Sequence, residues 1–302
     1  MQKIISYLKS PKKCIVYLMN KNFFSFLPDK IYLKIKYKLI MGKKLNLKNP
    51  VTFNEKLQWL KLYDRNSDYT IMVDKSLAKD YVGNIIGSDK IINTLGVYDK
   101  FDDIDFNTLP EKFVIKPTHT SGDVFICKDK SKIDMKQLKK KTKKWLKRNY
   151  YKVHREWPYK DIKRKLIVEE FMADSKQEDL VDYKVMCFNG EPKIIFTCTD
   201  RFESNLKVTF FDKKWEQLPC SRHYPASEKK IDKPYNFDLM LELSKKLSKD
   251  ITFVRVDWYE INNKLYFGEL TFYPGSGYEE FNPEIWDERI GQLITLREKG
   301  GK

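Results

Sequence analysis

The most regular alternation of apolar and polar side chains lies between Thr252 and Gly277, in two runs separated by Asn262-Asn263. Phe253-Val254-Arg255-Val256-Asp257-Trp258-Tyr259 and Gly268-Glu269-Leu270-Thr271-Phe272 both show the two-residue period of half-buried strands, so they predict a β-hairpin. Successive residues of a strand point to opposite faces, so Arg255 shares a face with Asp257, and Glu269 with Thr271. Register decides whether the two faces coincide. A two-residue Asn262-Asn263 turn pairs Asp257 with Gly268 and sends Glu269 to the other side. Pairing Asp257 directly with Glu269 instead closes the hairpin on Ile261 opposite Leu265. The expectation is therefore a three-residue loop, Asn262-Asn263-Lys264, with Asn263 or Lys264 left-handed, or an equivalent bulge before Glu269. The plainer alternative is an amphipathic hairpin whose charged face meets water.

Helical patterns fill most of the first hundred residues. Pro28-Asp29 opens a helix over residues 30–41 that Gly42 stops. Thr52 and Glu55 have capping-box spacing ahead of Phe53, Leu57 and Leu60, which predicts a second helix over residues 52–65. Residues 73–82 read as a third, and residues 91–98 as a short strand region. Further strands are predicted at 113–117, 124–127, 165–172, 180–188 and 192–199, the last two joined by the turn Asn189-Gly190. Residues 208–211 and 215–218 read as another short hairpin around Asp212. Residues 135–151 form a lysine-rich helix with a solvated face, and residues 236–248 a helix with Leu239, Met240, Leu243 and Leu247 at helical spacing.

Length allows about two domains at 302 residues. No run of 18 apolar residues predicts a transmembrane helix. Five cysteines, Cys14, Cys127, Cys187, Cys198 and Cys220, are odd in number and contain no CxxC, against a disulfide framework or a zinc site and for a reducing compartment. His119, His154 and His223 show no metal-binding spacing. The net charge of +16 is uneven: residues 1–48 hold twelve Lys against one acid, Asp29. A nucleic-acid enzyme more often carries its basic stripe on the folded body. Here lysines mix with Ile4, Ile5, Tyr7, Leu8, Phe23, Phe24, Phe26 and Leu27, a combination suited to an anionic membrane surface. The alternative is a basic helical pair packed on its own domain.

Candidate chemistry sits on the strands. Asp257 and Glu269 are hard oxygen ligands of the kind Mg²⁺ takes together with substrate phosphates. Lys116 ends one strand and is followed by Thr118-His119-Thr120-Ser121-Gly122-Asp123, a small-residue loop whose backbone amides, near Ser121 and Gly122, suit a phosphate flap. Glu169 and Glu170 are adjacent on a strand and face opposite ways, so they do not form one acid/base pair. Asp103-Ile104-Asp105 is a formal DxD, the pattern with which many glycosyltransferases hold a metal-bound sugar nucleotide.

The order strand-Lys116-flap-strand, helix, strand-Glu169-Glu170, hairpin with Asp182 and Lys184, helix, Arg255-x-Asp257, Glu269-x-Thr271 resembles the ATP-grasp superfamily. More narrowly, NPVTFNEKLQWLKLYDRN, DYKVMCFNGEP and GELTFYPGSG are similar to the TupA-like (teichuronopeptide-synthesis) ATP-grasp proteins of bacterial envelope-polysaccharide clusters. The resemblance covers roughly residues 28–295 and implies an α+β fold with two subdomains clasping ATP. The matching boundaries are a basic helical arm over 1–48, a helical region over 49–110, and ATP-grasp subdomains over 111–180 and 181–302. It also implies roles. Lys75 and Lys116 match the lysines that hold nucleotide phosphates, and Glu169, Glu170 and the backbone through Met172 match the adenine-binding hinge. Asp182, or alternatively Asp179, matches the ribose acid, with Lys184 beside it. Asp257 and Glu269 match the Mg²⁺ carboxylates, Arg255 the arginine that neutralises the transferred phosphoryl group, and Thr271 stands where most members have Asn. The implied activity is an ATP- and Mg²⁺-dependent carboxylate–amine ligation on an envelope polysaccharide, such as an amino acid joined to a uronic acid. It would take place in the cytoplasm or at the inner face of its membrane. A sugar kinase or a glycosyltransferase using Asp103 and Asp105 are the alternatives.

Overall fold

The computed structural model describes residues 10–173, 181–199 and 206–298. Among the described residues nine strands form two antiparallel sheets, of four and five strands, and a separate hydrophobic core grows on each. In the first sheet, β1 (Thr94–Tyr98), β2 (Phe113–Pro117), β3 (Phe125–Cys127) and β4 (Leu166–Glu170) take the order β1-β4-β2-β3. In the second, β5 (Asp182–Phe188), β6 (Glu191–Thr199), β7 (Lys207–Asp212), β9 (Phe253–Ile261) and β10 (Lys264–Thr271) take the order β10-β9-β5-β6-β7. A two-residue pair, β8 (Ser221–Arg222) with β11 (Phe281–Asn282), lies apart from both.

The helices cover these sheets as their patterns require. Met135–Lys147 buries Leu138, Thr142 and Trp145 against the first sheet's core and leaves most of its lysines in water. Phe237–Leu247 buries Met240, Leu243 and Leu247, and its Ser244 hydroxyl accepts the Trp258 indole N–H at 2.9 Å. Phe53–Tyr63 forms the full capping box between Thr52 and Glu55. Its Gln58 amide donates to the carbonyls of Ser276 and Gly277, fixing the loop that follows β10.

Three elements differ from the periodicity. The helix read over 73–82 is two helices, Asp68–Val73 and Leu77–Ile86, because Asp74 Oδ1 accepts from the Ser76 amide, the Ser76 hydroxyl and the Leu77 amide and so caps the second. The helix over 135–151 stops at Lys147, and Asn149 caps a separate turn, Tyr150–His154. Residues 215–218 make no strand: Trp215 takes a φ of 66° and stacks flat on Phe211 with ring centroids 4.2 Å apart, leaving one bridge between Phe211 and Gln217.

The helices Pro11–Asn20 and Asp29–Met41 pack on the body through residues 153–155. Tyr32 Oη and Lys36 Nζ donate to the Val153 carbonyl at 2.9 and 2.8 Å. The buried Arg155 donates to the Ser25 and Leu27 carbonyls and stands 4.3 Å from the Tyr32 ring. All five cysteines are free.

Candidate functional site

The β9–β10 hairpin resolves its register conflict with a bulge. Asn262 and Asn263 have φ of 51° and 60°, the left-handed pair a two-residue turn needs, and Asn tolerates it. The three-residue loop therefore does not form: Lys264 pairs with Ile261, and the ladder runs in that register to Phe267 opposite Trp258. It then shifts, and Leu270 pairs with Val256 and Thr271 with Arg255. Gly268 and Glu269 thus share the place opposite Asp257. Gly268 is the residue that admits this, since a Cβ there would lie 3.1 Å from the Asp257 carbonyl oxygen. The bulge was the second form of the expectation, and it returns Glu269 to the face of Asp257.

That face gathers a dense set of ions. Arg255 donates from Nε and Nη2 to the two oxygens of Asp257, each at 2.6 Å, a bidentate fork. Its Nη2 also reaches Glu269 Oε1 at 3.2 Å and the Thr271 hydroxyl at 3.0 Å, and that hydroxyl donates to Glu269 at 3.0 Å. Lys184, opposite Asp257 in the β5–β9 ladder, is paired with Asp257 and lies 2.8 Å from Asp182. Burial opposes the charge on Arg255, but Asp257 and Glu269 outweigh it and hold the guanidinium above its ordinary value. Thr271 does not line the cleft; it aims Glu269 and Arg255.

The first sheet supplies the opposite wall. Glu169 holds Lys116 at 2.7 Å and Lys79 at 2.6 Å. Burial works against Glu169, yet these two ammonium groups keep its carboxyl below the usual range. Lys75 sits in the break between two helices, its amide donating to the Thr118 carbonyl at 3.1 Å and its Nζ lying 4.0 Å from Glu269. Burial lowers the pKa of Lys75, Glu269 opposes this, and the nearby Lys116 adds to the lowering. An arriving polyanion would relieve that crowding of cations.

Between the walls runs a cleft of about 560 Å³. It brings together Lys75, Lys116, Ser121, Gly122, Glu169, Glu170, Met172, Asp182, Lys184, Arg255, Asp257 and Glu269. Val114, Ile126, Met172 and Leu270 give it an apolar stretch suited to a flat base. Lys79 was not singled out by sequence reasoning, although it follows Lys75 by four residues. Asp103 and Asp105 do not line the cleft: Asp103 lies 3.6 Å from Lys100, and Asp105 accepts from the amide of Asn107 in its own turn. Asp179 lies outside the described residues.

The donor set fits Mg²⁺. Asp257 and Glu269 offer carboxylate oxygens bridged by one guanidinium, and no group of three or more His, Cys, Asp or Glu placed to hold a metal ion occurs among the described residues. A dedicated protein cage would need more ligands, whereas Mg²⁺ arriving with phosphates needs one or two carboxylates.

The family model described as TupA-like ATP-grasp matches residues 55–295. No curated protein matches the chain. Among solved structures, the D-alanine–D-alanine ligase of Bacillus anthracis complexed with ATP is similar at 14% identity and a TM-score of 0.42, over 74% of this chain and 63% of that one. The D-alanine–D-alanine ligase of Helicobacter pylori is similar at 17% identity and a TM-score of 0.43, over 80% and 69%. The ATP-grasp ligase PsnB, complexed with minimal precursor, Mg and ADP, is similar at 10% identity and a TM-score of 0.38, over 72% and 57%. The chain therefore spans less than two thirds of the first of these relatives.

Proposed function

This chain belongs to the TupA-like ATP-grasp family, and on that premise we propose that it is an ATP- and Mg²⁺-dependent carboxylate–amine ligase acting on a cell-envelope polysaccharide. One observation carries the reading: Lys116 from one sheet, with Lys75 from a helix break beside it, faces Arg255, Asp257 and Glu269 of the other sheet across a single cleft. Phosphoryl transfer asks mainly for positioning and neutralisation of charge, and this cleft offers both without a side-chain nucleophile.

In this mechanism Met172 and the apolar walls receive the base, with Glu169 beside it, Asp182 meets the ribose, and Lys75, Lys116 and the Ser121-Gly122 flap hold the phosphates. Asp257 and Glu269 would hold Mg²⁺, which supplies charge neutralisation to the phosphate oxygens. Arg255 is fixed by its fork to Asp257 and by the Thr271 hydroxyl, so it meets the transferred phosphoryl group with little reorganisation. The acceptor carboxylate oxygen attacks the γ-phosphorus and ADP leaves. An amine then attacks the resulting acyl phosphate, phosphate leaves, and the amine gives up a proton to yield the amide. The acceptor would be a uronic acid and the site of action the cytoplasm or the inner face of its membrane. The exposed apolar residues of the N-terminal segment, above all Phe23 and Phe26 in the turn between its two helices, support peripheral attachment to an anionic surface. No helix among the described residues is long and apolar enough to cross a membrane.

The test is mass spectrometry of the surface polysaccharide from a strain lacking the gene. Loss of an amide-linked substituent is expected. Loss of a phosphate ester would make the protein a kinase, and an unchanged polysaccharide would overturn the acceptor.

A further inference from the structure

Glu169 faces two ammonium groups, of which only Lys116 has a part in the proposed binding of phosphates. The β2–β4 register sets Glu169 opposite Val114, so it shares a face with Lys116 two residues further along β2, and it is 5% exposed. Its Oε2 lies 2.7 Å from Lys116 Nζ and its Oε1 2.6 Å from Lys79 Nζ, and all three side chains line the cleft. The two contacts are unequal. Lys79 also donates to the Ile92 carbonyl at 2.6 Å, and its side chain is 12% exposed. The Lys116 side chain is 27% exposed, and Oε2, although close to its ammonium, receives no hydrogen bond. Lys79 is therefore anchored on two sides, whereas Lys116 rests on the carboxylate through charge alone.

Lys79 stands where a cation is locally disfavoured. It is the third residue of the helix Leu77–Ile86, in the first turn, where the helix dipole favours acids. Burial adds to this by lowering its pKa, and Glu169 opposes the lowering. What the position gains is a second partner for Glu169. Phosphates entering the cleft draw Lys116 towards themselves, and a buried carboxylate stripped of its one partner is strongly destabilising. A carboxylate that keeps an anchored ammonium is not left in that state.

We propose, resting on the ATP-site reading above, that Lys79 is a positioning residue: it keeps Glu169 neutralised and so leaves Lys116 able to pass from that carboxylate to the phosphates of ATP. Lys79 stays on Glu169 and the Ile92 carbonyl and touches no phosphate. Without it Glu169 retains Lys116, and ATP has to break that pair in order to bind.

A double-mutant cycle read by titration calorimetry with ATP·Mg²⁺ tests this. Lys79→Met should weaken binding about tenfold or more when residue 169 is Glu, and less than about threefold in the Glu169→Gln background, where nothing traps Lys116. Lys79→Arg, which keeps the charge, should stay within about threefold of the wild type. Adenosine has no phosphate, so its binding, followed by ligand-observed NMR, should be the same in Lys79→Met as in the wild type. If Lys79→Met does not fold, Lys79→Gln, which keeps a donor for the Ile92 carbonyl, takes its place in the cycle. An equal loss in both backgrounds would mean that Lys79 meets the nucleotide directly, and a parallel loss of adenosine that it only supports the fold; either overturns the proposal, as does an unchanged ATP affinity. A wild type that does not bind ATP·Mg²⁺ fails the ATP-site reading itself.

Discussion

Glu269 is the residue on which the charge balance of the site is most visible. Burial pushes its carboxyl up, but Lys75, Arg255 and Lys184, with the Thr271 hydroxyl, outweigh this and bring it down to about 2 from an ordinary 4.5. A carboxyl that gives up its proton more readily in the folded state stabilises that state above pH 4.5, and the contribution is lost as pH falls through about 2. Denaturant melts over that window should show the wild type losing stability more steeply than Glu269→Gln; parallel curves would contradict the assignment. Lys116 makes a different prediction. Because Glu169 keeps Lys79 as a partner, Lys116→Met should fold, yet weaken nucleotide binding by about 2 kcal/mol, roughly 30-fold. An isotherm with unchanged affinity would return Lys116 to a structural role.

At the scale of elements, the hairpin shows what patterning settles and what it leaves open. Alternation from Phe253 to Tyr259 and from Gly268 onward identified both strands and the residues on their faces, and parity alone required a correction between turn and site. Parity could not choose between a longer loop and a bulge. That choice follows from two local facts: paired asparagines accept left-handed backbone, and Gly268 lets the bulged strand approach the Asp257 carbonyl. The split at Asp74 was less legible, because its cause is a side chain bonding back to the chain three residues on, inside a run with good helical spacing. Lys79 was overlooked for the opposite reason, since its partner Glu169 lies on a strand distant in sequence. The bulge carries its own prediction. Gly268→Val should force the strands apart and swing Glu269 off Asp257, costing about 1–3 kcal/mol of stability and at least a tenfold loss of Mg²⁺-dependent nucleotide binding. Calorimetry showing full Mg²⁺ dependence in this variant would mean that the register is not what builds the site.

The whole molecule places a basic, partly apolar face at one end. Phe23 and Phe26 are 68% and 77% exposed, and Ile31 and Ile35 share an exposed helix face with Lys34 and Lys38. The opposite side of the same helix is buried through Tyr32, Leu33, Lys36 and Tyr37, so these helices are part of the body as well as candidates for a membrane surface. Changing both Phe23 and Phe26 to Ser should abolish co-sedimentation with phosphatidylglycerol-rich vesicles and leave nucleotide binding intact, while binding of the wild type should fall with added salt. Equal sedimentation of the variant would leave the exposed aromatics without that role. The central claim, that the cleft between the two sheets is a Mg²⁺-dependent ATP site, is tested most directly by titration calorimetry on the unmodified protein. The account predicts a saturable isotherm with ATP and Mg²⁺, its loss when EDTA replaces the metal, and no binding of UDP-glucose. Tight binding of UDP-glucose with none of ATP would contradict it.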